Sequence, residues 1–200
     1  MSAPPDRQSP NKLARPIEAI LPFLELDAPT AAQLASLADA AKGLEALLAA
    51  DRAPDALRLI AHALPKREAV WWACMCARAV PALTPNPLDA EALTAAELWV
   101  RRPDEASRRG TMEVAQKGGF RSAESWAAVG AFWSGGNMSA EGQPEVLPAE
   151  HLTGVAVVGA IMMAAMRHTP ERAPARFIRF VASARDIAGG GAGRIPPEEG

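Results

Sequence analysis

The chain has 200 residues, 49% of them apolar and 22% charged, and carries a formal net charge of −2. That length supports one domain or a tightly packed pair with a true hydrophobic core, and so small a charge provides no global field to draw nucleic acid or an anionic membrane. Alanine and leucine dominate, residues that favour strands are sparse and tyrosine is absent, so the expected class is all-α.

In chain order, the opening Met1-Ser-Ala-Pro-Pro-Asp-Arg-Gln-Ser-Pro10 has no apolar core of a signal peptide. Rich in Pro, Ser and Asn, residues 1–16 read as a disordered arm. Residues 17–26 are apolar but interrupted by Pro22, as in a short turn laid on the domain. Thr30-Ala-Ala-Gln33 has capping-box spacing and opens a helix toward Lys42 with Gly43 as its stop, and 44–50 form another short helical stretch. From Asp51 or Ala53 a helix places Leu57, Ile60, Ala61 and Leu64 on one stripe. Pro65 ends that helix and begins the next, which stops before Pro81.

Beyond the Pro85-Asn-Pro87 turn, Asp89 caps a helix closed by Arg101-Arg102-Pro103, and a more polar helix runs from Asp104 toward Gln116. Arg108-Arg109 falls on this helix as an internal pair and is not an export signal. Ser122 caps the next helix, with Trp126, Val129, Phe132 and Trp133, and Gly135-Gly136 ends it. Residues 135–148 make the longest loop of the folded part. The most apolar helix spans 149–167, where Ala156, Ala160 and Ala164 form a flat strip for a close neighbour. Thr169-Pro170 caps and starts a last helix to Ala188, followed by a glycine-rich tail, 189–200, expected to be flexible. The expected architecture is a single domain, 17–188, of about eight short antiparallel helices in a compact bundle or an α-solenoid-like array of helix pairs.

The longest apolar run, 152–166, would span roughly 22 Å as a helix, short of a hydrocarbon core of about 30 Å. It reads as a buried central helix. Together with only two cysteines and no disulfide framework, this gives an expected cytoplasmic location.

The stretch 66–78, Lys-Arg-Glu-Ala-Val-Trp-Trp-Ala-Cys-Met-Cys-Ala-Arg, gathers Trp71, Trp72, Cys74 and Cys76 on one helix. A turn of about 100° per residue sets the two cysteines on nearly opposite sides, where they neither bridge nor share a metal. His62, His151 and His168 have no ligand partners at helical spacing, and no glycine-rich loop links a strand to a helix for phosphate. No catalytic residue, metal or cofactor is assigned. An enzyme reading rests on Cys74 or Cys76 as a nucleophile with His62 brought near.

In the last helix Arg172, Arg176 and Arg179 stand at i, i+4 and i+7. They read as a solvated face, or as forked contacts to an acidic protein partner; membrane or nucleic-acid binding is the remaining alternative, without an aromatic platform to support it. Of the five tryptophans, Trp71, Trp99, Trp126 and one of Trp72 or Trp133 belong to the core. The other is left as an interface anchor. The candidate partner-binding residues are thus Trp72, Trp133, Arg172, Arg176 and Arg179.

The words Asp55-Ala-Leu-Arg-Leu-Ile-Ala-His-Ala-Leu-Pro-Lys-Arg-Glu-Ala-Val-Trp-Trp-Ala-Cys-Met-Cys-Ala-Arg78, Trp99-Val and Ala131-Phe-Trp-Ser-Gly-Gly136 resemble a family of uncharacterised bacterial helical proteins often encoded near type VI secretion genes. The resemblance covers roughly 30–188. It implies a cytoplasmic accessory protein in a secretion context and transfers no functional residue. Together with the helix-pair architecture and the lack of a catalytic constellation, it gives an expected non-enzymatic accessory or adaptor protein that binds a protein partner.

Overall fold

The computed structural model describes residues 11–198, which contain two 3-10 turns, Ile17–Ala19 and Leu21–Phe23, followed by nine α-helices. These are α1 (Ala28–Ala35), α2 (Ala40–Ala49), α3 (Ala53–Ala63), α4 (Lys66–Ala79), α5 (Pro87–Arg101), α6 (Glu105–Lys117), α7 (Ala123–Phe132), α8 (Leu152–Ala165) and α9 (Ala173–Ala188), with a further 3-10 turn, Pro170–Arg172, leading into α9. Among the described residues there is no strand, only an isolated bridge between Pro16 and Asp39.

Side-chain caps set most of the starts. Asp27, Asp39, Asp104 and Ser122 accept from the backbone N–H three residues on, and Asn86 accepts from Leu88. Each satisfies a donor that the first helical turn leaves free. The expected stop at Gly43 is not one: Gly43 lies inside α2, and the break falls at 36–39. A Cβ at 43 would come within 2.9 Å of Leu59 Cδ1 and 3.1 Å of Ile17 Cδ1, so this glycine serves close packing of α2 on α3.

The centre is α4. Val70, Trp72, Ala73, Cys74, Cys76 and Ala77 are all sealed from solvent, so burial extends around nearly the whole helix. It packs against α3, α5, α7, α8 and α9. A solenoid would confine each helix pair to its sequence neighbours. Here α3 reaches α8 and α9, and α4 reaches α7, α8 and α9. The bundle is the arrangement that forms.

The alanine strip at 156, 160 and 164 is fully buried, as its spacing requires. Gly130 of α7 lies between α4 and α8, where a Cβ would make ordinary contact with Val70 at 3.4 Å and Val157 at 3.5 Å. Among the described residues no single helix is long and apolar enough to cross a membrane.

Both ends of the expected domain need correction. Residues 1–10 lie outside the described residues, but 11–16 pack on the bundle. Leu13 is buried, Lys12 pairs with Glu68 at 2.7 Å, and the Ala40 N–H donates to the Arg15 carbonyl. At the other end, 189–198 form a strap across α4 and α9 in place of a frayed tail. The Trp71 indole donates to Ala192 O at 2.8 Å, Ser183 Oγ to Gly193 O, and Glu198 N–H to Ala79 O. Side-chain donors distant in sequence satisfy the backbone that its glycines leave bare.

Trp72 fills the middle of this packing and donates through Nε1 to Phe180 O at 2.9 Å. Trp72→Phe, which removes that donor and leaves a partial void, is expected to lower unfolding free energy by about 1–3 kcal/mol, and Trp72→Ala by about 3–5 kcal/mol. Denaturant titration of both variants measures the difference.

Candidate functional site

The arginine stripe is not a free basic face. Arg176 is buried, and its guanidinium donates to the carbonyls of Ala165, Arg167 and Thr169, to Thr169 Oγ1 and to Glu198. Arg179 donates to Glu198 Oε1 at 3.1 Å and to the Pro196 carbonyl. Arg172 is the outermost, half exposed and 4.0 Å from Glu198. The carboxylate that these arginines meet thus belongs to the chain's own strap. The Arg176 hydrogen bonds hold the Glu198 carboxyl below its ordinary range, with Arg179 and Arg172 adding to the effect.

Trp72, one of the proposed interface anchors, is sealed in the core. Trp133, the other, is half-buried and meets Trp126 edge to face at 6.2 Å. Trp126, which was assigned to the core, is also half-buried; it donates to Phe120 O and lies against Gly159, where a Cβ would stand 3.5 Å from the indole. Around Gly159 the outward side of α8 carries Val155, Met162 and, just past its end, Met166. These positions share one helical face. No charged residue interrupts 152–166. The two indoles meet each other, and Trp126 meets this face at Gly159, which brings tryptophan beside the methionines of α8.

The loop after α7 is tethered from below by a pair that sequence reasoning left without a role. Arg108 is buried; it donates to Phe132 O at 2.7 Å and Asn137 O at 2.8 Å, and its guanidinium lies 4.6 Å from the Phe132 ring centroid. Arg109 donates to Asn137 O and Ser139 O. A cation at the C-terminal end of α7 also complements the helix dipole. Gly136, at φ +66°, leaves the space that Arg108 fills.

Two of the three histidines converge. Phe23 is stacked between His151, at 4.6 Å, and His62, at 5.8 Å. Burial pushes the His62 imidazole down to about 4, with His151, Arg58 and Arg15 acting in the same direction. His168 sits elsewhere, where its Nε2 accepts from the Leu83 N–H at 3.1 Å. Cys74 and Cys76 are both free and buried. Burial raises each thiol far above its ordinary range, most clearly disfavouring the thiolate that a nucleophile requires. Among the described residues no group of three or more His, Cys, Asp or Glu side chains is placed to hold a metal ion.

A family model described as a family of unknown function, DUF6931, matches residues 43–188. The chain belongs to this family. Neither the comparison with curated proteins nor that with solved structures finds a match. The DUF6931 region begins within α2 and ends with α9, so it contains the central α4, the tryptophan–methionine surface and the Arg108 tether. Phe23, on the N-terminal side, and the Glu198 strap lie outside it.

Two stability measurements separate these features by pH. His62 has a folded pKa near 4 against an ordinary 6.5. Unfolding therefore takes up a proton between those values, and stability falls as pH drops from 6.5 toward 4, by on the order of 2–3 kcal/mol. His62→Gln is expected to flatten that window in pH-dependent denaturation. Glu198, whose folded pKa is depressed from 4.5, contributes stability above that value and loses it at lower pH. Glu198→Gln is expected to lower stability at pH 7, to remove the loss below pH 4.5 and to spare the His62 window.

Proposed function

We propose that this chain is a non-enzymatic helical adaptor that binds a protein partner through the apolar surface of Trp126, Trp133, Val155, Met162 and Met166. The observation that carries this reading is α8 itself. Its buried side is Ala156, Ala160 and Ala164, and its outward side is equally apolar. A helix apolar all round is ordinarily covered on every side, and an outward tryptophan–methionine surface suits a partner interface. The sealed cysteines weigh against thiol catalysis, and the internal neutralisation of Arg176 and Arg179 weighs against a basic membrane or nucleic-acid surface.

A bacterial, cytoplasmic setting beside type VI secretion is part of the proposal. It is supported by the resemblance of the 55–78, Trp99-Val and 131–136 segments. Free cysteines suit a reducing compartment.

A photo-crosslinking residue at Met162 or Val155 is expected to trap the same partner protein from native lysate. The same probe at the exposed Glu113 of α6 is expected to trap none of it. Recovery of an identical set of proteins from all three positions, or no discrete adduct at 155 and 162, would sink the proposal. Identification of the adduct by mass spectrometry tests the secretion setting separately.

A further inference from the structure

The first turn of α8 closes a cavity of about 20 Å³ against α3, the start of α4 and the turn around Phe23. One buried side-chain polar atom among the described residues lacks a hydrogen-bond partner, and it is Thr153 Oγ1, on this cavity's wall. A threonine within a helix ordinarily returns its hydroxyl to a carbonyl three or four residues back. Thr153 does not, although it is only 2% exposed.

The adjacent backbone donors are also available. The N-cap, His151, makes no side-chain cap, and neither the Thr153 nor the Gly154 N–H donates to a backbone carbonyl among the described residues. Gly154 lets His62 lie directly on this turn, since a Cβ there would fall 2.3 Å from His62 Nδ1. Two permanent cations line the same wall. Arg15 donates to His62 O at 3.2 Å, and Lys66 donates to Ser134 O at 3.1 Å and to Glu150 at 3.0 Å. Glu150 is the opposing charge, 71% exposed and held by Lys66.

We propose that this cavity binds one monatomic anion, a chloride, held by the Thr153 hydroxyl and the free N–H groups of Thr153 and Gly154. Helix N-terminal donors and the positive end of the dipole favour negative charge there. Arg15 and Lys66 offset the desolvation of the ion. Size decides the class. A single water-sized group needs about 10–15 Å³ by the same measure, so the space takes one such group and no phosphate. This site is independent of the α8 outward surface, because Thr153 and Gly154 are both buried and lie off the face of Val155, Met162 and Met166.

The test is a titration of the full chain followed by ¹⁵N-edited NMR at pH 7 and constant ionic strength. Chloride replaces methanesulfonate, whose polyatomic head exceeds the cavity. Saturable shifts of the Thr153 and Gly154 amide resonances with chloride are expected. Thr153→Val, which keeps the shape and removes the hydroxyl, is expected to weaken binding roughly tenfold. Thr153→Ser is expected to retain it. The proposal is overturned if chloride gives no saturable shift, which would leave the cavity to a water. It is overturned equally if the valine variant binds as tightly as the parent, or if the serine variant weakens as much as the valine one.

Discussion

Burial of α4 around nearly its whole circumference is the constraint that the rest of the bundle meets. A central helix with large residues such as Trp72 and Met75 leaves little room beside it, so its neighbours approach through small side chains. Buried alanines stand at 123, 127, 128 and 131 on α7, at 92 and 96 on α5, and at 156, 160 and 164 on α8. Gly130 completes the α4–α7–α8 contact. The hydrophobic term here is area removed from water, but the specificity comes from this alternation of bulky centre and small surround. The high alanine content is therefore a packing requirement as well as a helix preference.

A second device, repeated across the bundle, is the arginine fork, buried at Arg108 and Arg176 and partly buried at Arg167. Arg108 gathers the end of α7 and the loop that follows; Arg167 pairs bidentately with Glu124 and donates to Val80 O; Arg176 closes the turn before α9 on the Glu198 strap. Each satisfies carbonyls that a helix end leaves without partners. A planar fork with several fixed donors does this where a lysine would reach one or two. Arginine outnumbers lysine in this chain, and in these three places it has a structural use.

The two candidate sites differ in how their parts were visible. The outward face of α8 was legible as an apolar run, which reads as a buried central helix. Its inner strip at 156, 160 and 164 is indeed buried, whereas Val155 and Met166 are exposed, because α7 and α4 cover the inner side and no described segment covers the outer one. The arginine stripe was legible as spacing, and its carboxylate partner was not. Glu198 stands beyond a run of glycines whose lack of side chains predicted fraying, and only the donors of Trp71, Ser183 and the arginines reverse that expectation. The cavity over α8 joins Arg15, Phe23, His62 and Thr153, four residues on separate elements with no shared spacing to reveal them.

Local chemistry was therefore decided by the chain itself. Aspartate and serine caps and prolines placed most helix starts, apolar spacing set core faces such as that of α3, and helix geometry separated Cys74 from Cys76. These are interactions within a few residues, so sequence alone determines them. Which tryptophan is sealed and which reaches the surface, whether an arginine meets solvent or Glu198, and where a threonine hydroxyl is left without a partner depend on how helices distant in sequence pack together. Only the tertiary structure decided those, because burial and pairing of a side chain are properties of its neighbours in space.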